Sequence, residues 1–67
     1  MKVREIFEMD FINDFTEIFI RDIDFYVLAH GNWYQDNILN YEENEVNSFT
    51  WQDDNKIYID VKEGESL

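Results

Sequence analysis

The hydrophobic positions of this chain follow two periods in turn. Near the start, Val3, Ile6 and Phe7 stand at i, i+3 and i+4, the stripe of a short helix, and Phe11 extends it. Asn13 and Asp14 then supply turn chemistry. From Phe15 to Arg21 the period drops to two. Thr16, Ile18 and Ile20 alternate with Glu17, Phe19 and Arg21, which predicts a strand with one apolar and one mixed face. The residues D-I-D at 22–24 separate it from F-Y-V-L-A-H, so a hairpin is expected. Its second strand would place Phe25, Val27 and Ala29 on one side and Tyr26, Leu28 and His30 on the other.

Gly31 should end or bend that strand. Beyond it, Tyr34, Ile38 and Tyr41 return to helical spacing, which predicts a short helix near 34–41. Asn32 and Gln35 fit a reciprocal capping pattern, and Asp36 is the alternative cap. E-V-N-S-F-T-W-Q then reads as a strand with Phe49 and Trp51 on one face. D-D-N at 53–55 is a turn cluster. K-I-Y-I-D-V-K follows, with Ile57, Ile59 and Val61 opposite Lys56, Tyr58, Asp60 and Lys62, and closes a second hairpin. The tail E-G-E-S-L, residues 63–67, is expected to fray.

The expected order is thus α-β-β-α-β-β in a single domain spanning 1–67. This is an α+β fold: an antiparallel four-stranded sheet from two hairpins, with short helices on one face. The other face would carry Phe19, Tyr26, Tyr58 and Trp51.

Composition changes this picture in two ways. A chain of 67 residues buries only about 60% of its unfolded surface, so its stability is marginal. With no cysteine it has neither disulfides nor thiolate metal sites to add. Its aromatic residues, 18% of the chain, are expected to supply the core. They are also numerous enough that some should lie exposed or in an interface, so a homodimer or a partner surface is the second expectation.

Charge is the strongest compositional signal. Sixteen acids oppose five bases, a formal net charge of −11, and no lysine or arginine occurs between Arg21 and Lys56. Direct nucleic-acid binding is excluded on this reading, because it rests on cationic contacts to phosphate. Attraction to basic protein surfaces is expected instead. The alternative is that the acids only keep an aromatic-rich domain soluble. No apolar run is long enough for a signal peptide or a membrane span, so a cytoplasmic location is the simplest expectation.

Catalytic candidates are few. His30, the single histidine, would need a nucleophile or orienting partner, and the serines Ser48 and Ser66 stand in no pattern with it. As a zinc ligand it would need three carboxylates beside it. The D-I-D and Q-D-D-N runs lack the glycine and distal glutamate of a calcium loop, and turns favour aspartate for local reasons. Two glycines do not build a phosphate loop or a nucleophile elbow. Neither an enzyme nor a cofactor is expected.

Carboxylates two apart on a strand lie about 6.6–6.8 Å from each other, close to the spacing of successive phosphates. The acidic, base-free middle, with H-G-N-W-Y-Q-D-N-I-L-N-Y followed by V-N-S-F-T-W-Q-D-D-N-K-I-Y-I-D-V, resembles the small acidic accessory proteins of phages and conjugative elements. These include nucleic-acid mimics of the anti-CRISPR and anti-restriction type. The resemblance implies a non-catalytic inhibitor of a basic DNA- or RNA-binding protein, such as a host defence nuclease, acting in the host cytosol if phage-encoded. The contact residues expected from the chain itself are Asp22, Asp24, Glu42, Glu43, Glu45, Asp53 and Asp54, with Trp51 and Tyr58 as aromatic contacts. The rival expectation is a structural or interaction module that is acidic only for solubility. Mimicry needs the acids on one continuous face, whereas a solvating role spreads them.

Overall fold

A computed structural model describes residues 1–52 and 54–62. Its elements are α1 (Val3–Phe7), β1 (Glu17–Arg21), β2 (Val27–Gly31), α2 (Asp36–Leu39), β3 (Val46–Gln52) and β4 (Lys56–Val61). The α+β order read from the sequence therefore holds. Asp53 and the expected frayed tail, 63–67, lie outside the described residues.

Both hairpins form. β1 pairs with β2, and β3 with β4, each antiparallel. The sheet that joins them runs β2-β1-β4-β3, and its central pair, β1 with β4, is parallel. The sheet is accordingly mixed rather than wholly antiparallel. Two separate hairpins can dock in either direction, because local turn chemistry sets pairing only within each hairpin. The parallel register pairs Ile18 with Ile57 and Ile20 with Ile59, so the apolar faces of both inner strands coincide.

That face carries the core. Ile18, Ile20, Ile57, Ile59 and Val61 are buried beneath Val3 and Ile6 of α1 and Ile38 of α2. Full burial of each such side chain contributes about 1.5–3 kcal/mol. Among the described residues no aromatic side chain belongs to the buried core, contrary to the expectation that aromatics would supply it. Phe7 and Tyr41 pack against it from the rim, while Phe15, Phe25, Tyr26 and Tyr34 are exposed.

Local polar bonds set the element ends. Asn13 accepts from the Phe15 amide through its side chain, and the buried Thr16 hydroxyl accepts from Asn13 N–H and donates to Asn55 Oδ1. The β1–β2 turn is longer than D-I-D. Asp22 N–H donates to the Tyr26 carbonyl, and Asp22 Oδ1 accepts from the amides of Asp24 and Tyr26. Phe25 and Tyr26 thus belong to the turn, not to β2, and Phe25 sits at φ 70° in the left-handed region. At the other joint, Gln35 Oε1 accepts from the Asn32 amide at 2.7 Å, which is half of the expected capping pair. The Asn32 side chain instead donates to the carbonyls of Asp14 and Thr16. The helix that follows is shorter than expected, beginning at Asp36.

Candidate functional site

The expected acidic contacts fall in three places. Parallel pairing of β1 and β4 places the turn after β1 and the turn before β4 at opposite ends of the sheet. Asp22 and Asp24 are at one end and Asp54 at the other, separated by the strand length, roughly 16 Å for five residues. The Glu42–Glu45 connection enters β3 beside Val61, at the end where β1 leaves the sheet.

Most of these acids already have partners. Asp22 is 9% exposed and its carboxylate organises its own turn. Glu43 accepts from Lys2 Nζ and from Arg4, both at 3.1 Å. The bond from Lys2 holds the Glu43 carboxyl below the ordinary glutamate range, and the Arg4 charge adds to it. Glu45 lies 3.5 Å from the terminal amine, whereas Glu42 is engaged through its main chain, whose carbonyl accepts from the Arg4 amide. Asp54 lies 3.4 Å from Lys56, whose pKa it raises through that contact, with Glu17 contributing. Asp24 is exposed in its turn.

The two aromatic candidates separate as well. Trp51 does not join the open face of the sheet. Its register partner is Ile57, on the core side, and its ring lies 4.8 Å from that of Phe11. Tyr26 leaves that face too, being in the turn and 71% exposed. Tyr58 does sit on the open face, in a row that crosses all four strands: Thr50, Tyr58, Phe19 and His30. Phe19 stacks on His30 with centroids 4.2 Å apart and on Tyr58 at 4.7 Å. In the next row the Arg21 guanidinium lies between the rings of Phe25 and Tyr58 and bonds Asp60, which also accepts from Ser48 Oγ.

Arg21, Phe19 and His30 were missing from the expected contacts. Alternation along β1 had already put Phe19 and Arg21 on its mixed face. What the sequence lacked was the parallel register that brings them beside Tyr58 and Asp60.

His30 is on the edge strand β2 and Ser48 on the opposite edge strand β3, about 14 Å apart across three strand spacings. The nearest ionic group to His30 is Glu17, at 3.7 Å from Nε2. Among the described residues, no three His, Cys, Asp or Glu side chains are grouped to hold a metal ion. Nor is any described helix long and apolar enough to cross a membrane. A cleft of about 420 Å³ opens between α1 and Trp33, walled by Phe7, Ile12 and Leu39, where the Trp33 indole donates to Asp14.

Compared with known proteins, the chain matches no protein-family model, no curated protein and no solved structure.

Proposed function

We propose that this chain is a small acidic domain without catalytic activity that binds a basic protein. The charge of −11 supports attraction to such a partner, and the separation of His30 from Ser48 supports a non-catalytic role. The same charge makes nucleic acid a poor direct ligand.

Within that reading, the interaction module is better supported than the nucleic-acid mimic. One observation carries the choice: parallel pairing of β1 with β4 sends Asp24 and Asp54 to opposite ends of the sheet. A phosphate mimic needs its carboxylates in one row, and here Asp22, Glu43 and Glu45 are also engaged by the chain's own groups.

A tagged pull-down tests this, with washes of rising salt and a parallel wash with duplex DNA. The expected result is a basic protein retained at low salt, released by salt and not competed by DNA. Competition by DNA would return the weight to mimicry of a nuclease or other DNA-binding protein as target. Retention of no basic protein would overturn the proposal.

A further inference from the structure

We propose that the outer edge of β3 is a strand-addition site for an extended segment of a basic protein. The segment runs antiparallel to β3 with its cationic residues at its N-terminal end. This rests on the reading of the domain as a binder of basic proteins and names the surface it would use.

β3 is the last strand of the sheet. Among the described residues, no backbone hydrogen bond from outside the sheet reaches it between Asn47 and Gln52. Its start is already used in this way. The Val46 amide donates to the Met1 carbonyl at 2.7 Å, and Lys2 bridges antiparallel to Glu45. Met1 and Lys2 thus occupy the first pairing position, in the antiparallel sense, and among the described residues none pairs with the outer edge beyond it.

Edge strands are usually defended by lysine, proline, bulges or shortness. β3 has seven residues, V-N-S-F-T-W-Q, with no charge and no proline. Its one register shift falls between Val46 and Ser48 and leaves Ser48–Gln52 regular. The strand charges lie on the inner strands instead, as Glu17 and Arg21 on β1 and Lys56 and Asp60 on β4. An uncharged edge in a chain of net charge −11 is the reverse of the usual placement. Phe49 and Trp51, 38% and 37% exposed, alternate with Ser48, Thr50 and Gln52, so an added strand finds apolar contacts on one face and polar ones on the other. The other edge is less free, because Asn37 Nδ2 donates to the His30 carbonyl and α2 packs against β2.

Charge sets the direction. At the Val46 end Glu43 faces two cations and Glu45 the terminal amine. Among the described residues at the Gln52 end, Lys56 is shared by Glu17 and Asp54, two carboxylates to one ammonium. An antiparallel segment brings its N-terminal end there.

The test is an NMR titration of the ¹⁵N-labelled chain with acetyl-Lys-Lys-Val-Thr-Val-Thr-Val-Thr-amide. Shifts and slowed hydrogen exchange should concentrate on amides of Asn47–Gln52. The reversed peptide, with both lysines at its C-terminus, should bind at least about tenfold more weakly. Thr50→Lys, which puts a charge on the exposed edge, should abolish the shifts while leaving the rest of the spectrum folded.

Equal binding of both peptides, shifts confined to β2 or the open face, or no shift at about 1 mM peptide would each overturn the proposal. So would concentration-dependent protection of β3 in the protein alone, which would give the edge to a second copy. If the peptide fails while salt-sensitive capture of a basic protein persists, the strand-addition site falls and the acidic-domain reading stands. Loss of both removes both.

Discussion

Arg21 and Asp60 face one another across the parallel β1–β4 pair and are joined by two hydrogen bonds, of 2.7 and 3.2 Å. The Asp60 side chain is 3% exposed, and its second oxygen also accepts from Ser48. A carboxylate this buried is held by its partners. Arg21→Met should therefore destabilise the fold by about 3 kcal/mol, because it strands the charge of Asp60. The whole domain has only about 3–10 kcal/mol at its size, so urea denaturation should show a large fall in midpoint. Replacing both residues with leucine should recover part of the loss.

Gly31 is needed for a close approach. A Cβ added there would collide with Gln35 Oε1, the atom that accepts from the Asn32 amide. Gly31→Ala should displace that side chain and cost about 1 kcal/mol, the value of the lost bond. In a Gln35→Ala background the same substitution should cost much less. A double-mutant cycle on thermal unfolding measures the difference.

Thr16 links two turns that are distant in sequence. Its buried hydroxyl accepts from Asn13 and donates to Asn55. Thr16→Val keeps the shape and leaves both partners unmatched, so a loss of about 1–3 kcal/mol is expected. Chemical denaturation checks it, and Thr16→Ser should retain most of the stability.

Glu43 and Lys56 give a pH dependence with opposite limits. The Glu43 carboxyl is lowered in the folded chain, so its contribution is complete above the unfolded glutamate pKa and disappears as pH falls through the folded one. Lys56 is raised, so its contribution is complete below the unfolded lysine pKa and disappears as pH rises through the folded one. Both groups are exposed, so salt should suppress both effects. Melting curves of the parent chain and Glu43→Gln should differ near neutrality, converge toward about pH 3, and converge again at high salt.

The phenylalanine in the β1–β2 turn adapts poorly to its backbone. Phe25 at φ 70° carries a cost of about 1–2 kcal/mol that glycine would not, while its ring stacks on Arg21. That stack is worth about 0.5–1 kcal/mol at an exposed position. Phe25→Gly should consequently change the unfolding midpoint little, despite removing a large side chain.

Period alone determined much of this protein. The alternation of Thr16, Ile18 and Ile20, and of Ile57, Ile59 and Val61, fixes which side chains are buried, since a strand turns every second residue to one face. The stripe Val3 and Ile6 determines the buried face of α1 for the same reason. The turn clusters located both hairpins, because hairpin closure is local, although the first turn runs on through Tyr26. Tertiary structure alone decided how the hairpins meet. Nothing in either one specifies whether β1 and β4 run parallel; the choice belongs to long-range packing of Ile18 on Ile57 and Ile20 on Ile59 beneath the helices. That single decision paired Arg21 with Asp60, stacked Phe19 on Tyr58 and divided the acidic turns between two ends of the sheet. Residues far apart in the chain acquire such relations only when strands pair, and no local pattern records them.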